Sequence, residues 1–190
     1  MNTASQLTDI RKRLSRLEDL IKRQNLILQG KDPDLIITTK SLDAAIKSSY
    51  QYAHSHCIYG PSDRHFPPGE GDPPYIDCVG LALRALYLLK VNDHARNINQ
   101  IVELCEKAGL VKSTNINDVY KRHGIVLMCH KNDRNNIYHV YYSLGGDDLT
   151  GISKYDLGSD ERIKSAQPFT HAQVNEWVDK FVFKCIYYPE

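Results

Sequence analysis

Asp77 and Cys78 stand at a junction in GEGDPPYIDCVGLALRALYLLK, residues 69–90, where a loop rich in glycine and proline gives way to an almost wholly apolar run. Asp77 is a good helix N-cap, which puts Cys78 in the first turn of the helix that follows. A thiol there has two readings. Cysteine packs as a small hydrophobe and is often buried. A helix N-terminus also carries about half a positive charge, a field that lowers a thiol pKa and supplies a nucleophilic thiolate. Such a nucleophile needs a base, normally histidine, brought near in space and not in sequence. Among eight histidines, His139 in NIYHVYYSLGG differs in setting. It opens a strand after a polar turn, where a side chain can face a helix N-terminus packed on the sheet. His54, His56, Cys57 and His65 bring metal-ligand types close together. Their spacing matches no standard zinc finger and there is no paired CxxC, so loop and core roles are expected and no metal. GGDD at 145–148 reads as a hairpin turn. No phosphate-binding loop or dinucleotide fingerprint occurs, and no cofactor is expected.

The elements that must position these residues follow from periodicity. Residues 41–54 read as a helix with Ser41 as its cap and Leu42, Ala45, Ile46 and Tyr50 on one face. Residues 55–76 form a long loop with Pro61, Pro67, Pro68, Pro73 and Pro74, and structureless loops of that length are usually functional. The Cys78 helix comes next, then a helix from Asn97 to Ala108 closed by Gly109. GIVLMCHK from Gly124 and YHVYYSL from Tyr138 are rich in β-branched and aromatic residues and read as strands about a turn at 132–136. A strand LTGIS, a helix from His171 to Lys180 with Trp177 in the core, and a terminal strand FVFKCIYY complete the chain. Helices first and antiparallel strands second indicate an α+β domain.

The chain has 190 residues and a formal net charge of +1, so no global field draws it to nucleic acid. MNTASQLTDIRKRL has no apolar core of a secretory signal, and no apolar run is long enough to span a bilayer. Five widely spread cysteines suit reduced thiols rather than a disulfide scaffold. Residues 1–30 stand apart. Leu7, Ile10, Leu14, Leu17, Ile21, Gln24 and Leu28 alternate spacings of three and four, the seam of a coiled coil, with a basic, solvated outer face. Thr8 and Asp9 suit its start and Gly30 its stop. So narrow a stripe is marginal alone, so the helix is expected to bind itself, another protein or its own domain. Lys31-Asp32-Pro33-Asp34 opens a linker over 31–40, and 41–190 form the body.

IDCVGLALRAL resembles the nucleophile motif of the NlpC/P60 family of papain-like cysteine peptidases, in which an Asp-Cys pair opens a helix and a small residue and glycine follow. GIVLM, a turn and HVYYSLGGDDL are similar to that family's second block, with histidine some sixty residues after cysteine on a strand. Gly80-Leu81, Arg84 and the closing KCIYYPE resemble the branch associated with phage tails. The likeness spans residues 40–190.

The resemblance implies a papain-like fold, with Cys78 as nucleophile, His139 as general base and the Cys78 backbone N–H as an oxyanion donor. Tyr59 and Asp77 would line the substrate site. The family's third residue, which orients the imidazole, falls in register on Gly151. Thr150 is the nearest polar neighbour, ahead of Asp148, Ser153 and Asp156. The implied function is a peptidase or amidase acting on peptidoglycan stem peptides, carried to the cell wall in a virion tail. On that reading the N-terminal helix binds itself or another tail protein. A catalytically weak tail-assembly component is the alternative. A lipid acyltransferase on the same scaffold would want an apolar groove or membrane anchor, and neither is evident.

Overall fold

In the computed structural model the chain divides into two compact units, 1–36 and 37–190. The structure describes residues 3–28, 36–61, 65–95, 97–146, 148–150, 168–170 and 181–190. Among its described residues the first unit holds one helix, α1 (Thr3–Leu28). It starts at Thr3 rather than at Thr8, and Gly30 lies outside the described residues. Its seam side chains are exposed, and Asp9 and Arg13 pair one turn apart at 3.0 Å.

The second unit opens on α2 (Thr39–His56), so the last two residues of the expected linker are helical. Its cap is Thr38, not Ser41. The Thr38 hydroxyl accepts from the Ser41 N–H at 3.2 Å, and the Ser41 hydroxyl accepts from the Thr38 N–H at 2.9 Å. Ser41 is therefore the reciprocal third residue of a capping box, which Thr38-Thr39-Lys40-Ser41 conceals because serine stands where Glu or Gln is usual. Leu42, Ala45, Ile46, Ser49 and Ala53 form the buried face. Ser49 satisfies its hydroxyl on the Ala45 carbonyl at 2.8 Å.

Two short strands, β1 (Ile58–Tyr59) and β2 (Tyr75–Ile76), pair in parallel and bracket the proline-rich loop. The next helix, α3 (Cys78–Leu88), is buried from Cys78 through Leu86. A helix that is apolar all round has to be enclosed, and α3 packs on both α2 and the sheet. It ends where Lys90 takes a positive φ of 62°. The Lys90 and Val91 N–H groups take up the Tyr87 and Leu86 carbonyls of the last turn, and buried Asn92 donates to the Leu83 and Ala95 carbonyls at 3.1 and 3.0 Å. The expected helix over 97–108 begins as a 3-10 turn at Ile98–Gln100, capped by Asn97, and continues as α4 (Ile101–Lys107). Gly109 closes it with φ 71°.

The sheet contains β3 (Val111–Ser113), β4 (His123–His130), β5 (Asp133–Leu144), β6 (Asp148–Thr150), β7 (Pro168–Thr170) and β8 (Phe181–Tyr188). Its order is β3-β8-β4-β5-β6-β7 and every pairing is antiparallel. The fold is α+β. Strand β5 begins at Asp133, so the turn before it shrinks to Lys131 and Asn132. Beyond β5, Gly145 and Gly146 take φ of 73° and 62°, as a hairpin turn of this hand needs. At Gly124 a Cβ would stand 2.5 Å from the Tyr187 carbonyl oxygen, so glycine lets β8 close on β4 there. The helix expected over 171–180, with Trp177, lies outside the described residues, as does LTGIS beyond Thr150.

Candidate active site

Asp77 caps α3 as expected: its Oδ1 accepts from the Gly80 N–H at 2.7 Å. Cys78 therefore occupies the first turn, and its thiol meets the backbone N–H of Val140 on β5, together with those of Val79 and Cys78 itself. The three amides and the helix field favour the thiolate. They are outweighed. Burial, and secondarily the negative charge of Asp77, push the Cys78 thiol up to about 12. The expectation of a lowered thiol pKa is therefore corrected. The charge of the residue that caps the helix works against its field at the sulfur, and α2, α3 and the sheet exclude the water a thiolate needs.

His139 lies on the strand that receives this thiol, one residue before Val140. It follows directly on a β-bulge: Met128 pairs with His139 but Cys129 pairs with Ile137, so Tyr138 is an extra residue in β5. Directly opposed residues share a sheet face. Met128 belongs with Val126, Tyr141 and Ile186 to the core cluster on one face, and the His139 and Tyr141 rings lie 6.3 Å apart. Cys78 lines a small pocket with Ile46, Tyr50, Ile125, Val140, Tyr141 and Tyr142; of the β5 residues, Val140 and Tyr142 alternate with His139 and Tyr141 and so stand on the other face. The backbone thus brings Cys78 alongside His139, while the imidazole sets out from the face of β5 turned away from α3. Burial pulls the His139 pKa down to about 4, which keeps the ring neutral.

Tyr59 is half-buried and packs against the Ala53, Cys57, Ile76 and Leu81 cluster. It pairs with Ile76 across the small parallel ladder, and the Gly60 N–H donates to the Ile76 carbonyl at 3.1 Å. This places Tyr59 beside the approach to Asp77. Thr150 is opposite Tyr142 in the β5–β6 ladder, so it stands three positions along from His139, about 10 Å at the rise of a strand. Asp148 pairs with Thr170 on β7. Ser153 and Asp156 lie outside the described residues.

Two constellations escaped sequence reasoning. Arg84, six residues into α3, is buried and anchors the loop between β1 and β2. Its Nη1 donates to the Pro68 carbonyl at 2.9 Å and to Glu70 Oε1 at 3.0 Å. Its guanidinium lies 3.4 Å from the centre of the Tyr52 ring. Cys57 donates to the Gly69 carbonyl at 3.7 Å, and Gly69 has φ +86° with the Cys57 sulfur 2.9 Å from where a Cβ would sit. Cys57 is thus a buried loop tie. The signal for Arg84 was a lone cation inside an apolar helix, which demands a partner when buried. The second constellation joins α2, β4 and β5. The Tyr142 hydroxyl donates to Asp43, and His123 Nδ1 lies 3.2 Å from both Asp43 oxygens. The Tyr142 hydroxyl pKa is raised, by burial first and then by Asp43. Eighty residues separate Asp43 from His123, and no local pattern links them.

Among the described residues no helix is long and apolar enough to cross a membrane. No family model and no curated protein matches the chain.

Proposed function

We propose that residues 37–190 form a papain-like cysteine hydrolase domain of the NlpC/P60 type, acting on amide bonds of peptidoglycan stem peptides and carried in a phage tail. The observation that supports this reading is the seating of Cys78: a capped helix N-terminus delivers its thiol to the β5 backbone beside His139. In the reaction His139 removes the thiol proton, sulfur attacks the amide carbon, and the Cys78 N–H receives the oxyanion. The proton then passes to the leaving amine, and water, activated by the same imidazole, hydrolyses the thioester. The resting arrangement is protonated on sulfur and unprotonated on His139. Turnover on this reading requires the segment at the Tyr138 bulge to rotate the imidazole toward α3 when substrate binds.

A second reading is favoured by the thiol pKa of about 12 and by the face that His139 occupies. Here the same fold serves as a non-catalytic tail-assembly component and Cys78 is a packing residue. Release of amino groups from purified sacculi separates the two. The hydrolase reading expects turnover by the full chain, and a loss of two to four orders of magnitude in both Cys78→Ala and His139→Ala, the effect of removing a nucleophile or general base. Intact sacculi with wild-type protein would favour the structural role, and turnover unchanged in either variant would remove that residue from the mechanism.

A further inference from the structure

The helix α1 carries an apolar seam that no other described residue of its unit covers. Leu7, Ile10, Leu14, Leu17, Ile21 and Leu28 are each between 52 and 84 % exposed. Leu7, Leu14, Ile21 and Leu28 occupy one seam position of a seven-residue repeat, and Ile10, Leu17 and Gln24 the other. We infer that α1 is a self-assembly element, through which three copies of this chain associate as a parallel, in-register coiled coil. This inference does not depend on the proposed catalytic activity.

Three features of the helix select this occupant. The first is Gln24. In a parallel, in-register bundle it meets only its own copies, and amide can hydrogen-bond to amide across the axis. In an antiparallel pair with the seams overlapped, Gln24 would be set against an aliphatic layer of the facing helix, leaving its amide unmatched in an apolar interior. The second is charge. Arg13 and Glu18 flank the seam on opposite sides and are five residues apart, the offset at which the flanks of neighbouring parallel strands meet. Each interface therefore gains an Arg13–Glu18 pair, while Arg13 can keep its own Asp9, now 3.0 Å away. The third is the breadth of the stripe. Leu20 and Ile27, both 58 % exposed, sit beside the seam on the Arg13 flank. A seam widened on one flank, with leucine rather than a β-branched residue at three of the four first positions, suits three strands better than two.

The test uses the full chain. Light scattering at micromolar concentration should give three times the 21.7 kDa chain mass. Gln24→Lys puts three like charges in one layer and should return the protein to the mass of one chain. Gln24→Cys should form an inter-chain disulfide rapidly on mild oxidation, because the same layer brings position 24 of each copy together, and the five native thiols are buried. A one-chain or two-chain mass for the unaltered protein overturns the inference. So does a Gln24→Lys protein that stays associated, because the contact would then lie elsewhere. An associated Gln24→Cys protein that fails to cross-link would indicate antiparallel or shifted strands, and would equally overturn it.

Discussion

At Cys78 two effects of one residue oppose each other. Asp77 makes the helix start by holding the Gly80 N–H, yet its charge disfavours the thiolate next to it. Asparagine caps as well as aspartate does. Asp77→Asn should therefore leave stability within about 0.5 kcal/mol of the unaltered protein, while lowering the thiol pKa from about 12. The pH dependence of alkylation at Cys78 reports this directly. An unchanged midpoint would assign the whole shift to burial. His139 yields a prediction of opposite sign. Its folded pKa of about 4 lies below its ordinary 6.5, so between those values the unfolded chain binds more protons than the folded one. Stability is complete above pH 6.5 and declines as pH falls toward 4, by at most about 1.4 kcal/mol per pH unit. His139→Gln should flatten that decline in urea unfolding measured across the same range. A variant as acid-sensitive as its parent would place the titrating group elsewhere.

Among the elements, α3 and the loop it carries act as one unit, because Arg84 ties helix to loop through Pro68, Glu70 and Tyr52. Arg84→Met keeps the aliphatic stem but frees the loop. It should cost roughly 2–4 kcal/mol, as the loss of a buried hydrogen-bonded group does, and open residues 65–76 to limited proteolysis. Glu70→Gln should cost under about 1 kcal/mol, because the Glu70 side chain is 40 % exposed and water can replace its partner. Equal costs would mean that the ion pair, and not the carbonyl contact and ring stacking, holds the loop. The same elements show what could be read in advance. The start of α3 was legible because a capping aspartate met an apolar run, and β4, β5 and β8 because their residues favour a pleated, half-buried surface. Strands β1, β2, β3 and β7 were not, since two or three residues carry no period. The face of His139 was hidden for a sharper reason. Alternation assigns faces only while the register is unbroken, and β5 breaks it twice here, across 134–136 and at Tyr138 directly before His139. The anchoring of Arg84 and the Asp43–His123–Tyr142 group depend on contacts that no local pattern encodes.

For the whole molecule, the division at residues 36 and 37 separates two different solutions to burial. The second unit has its own interior: Leu42, Ile76, Leu83, Leu86, Ile101, Ile125, Leu127, Ile186 and Tyr187 are fully buried there. The first shows none among its described residues, since the helix leaves its apolar seam exposed. Most of a helix's stability in a protein comes from packing of its apolar face, and α1 can gain that only by association, whereas the body has its own core. A chain beginning at Ile37 should therefore unfold cooperatively, with a denaturant midpoint close to that of the body within the full chain, and should run as a single copy. The alanine variants of Cys78 and His139 can then be compared on this shorter chain, free of assembly effects. Helical content should fall by the contribution of α1's 26 residues and no more, which circular dichroism measures. Aggregation of the shortened chain, or a larger loss of helix, would show that α1 completes the interior of the body and that the two units fold as one.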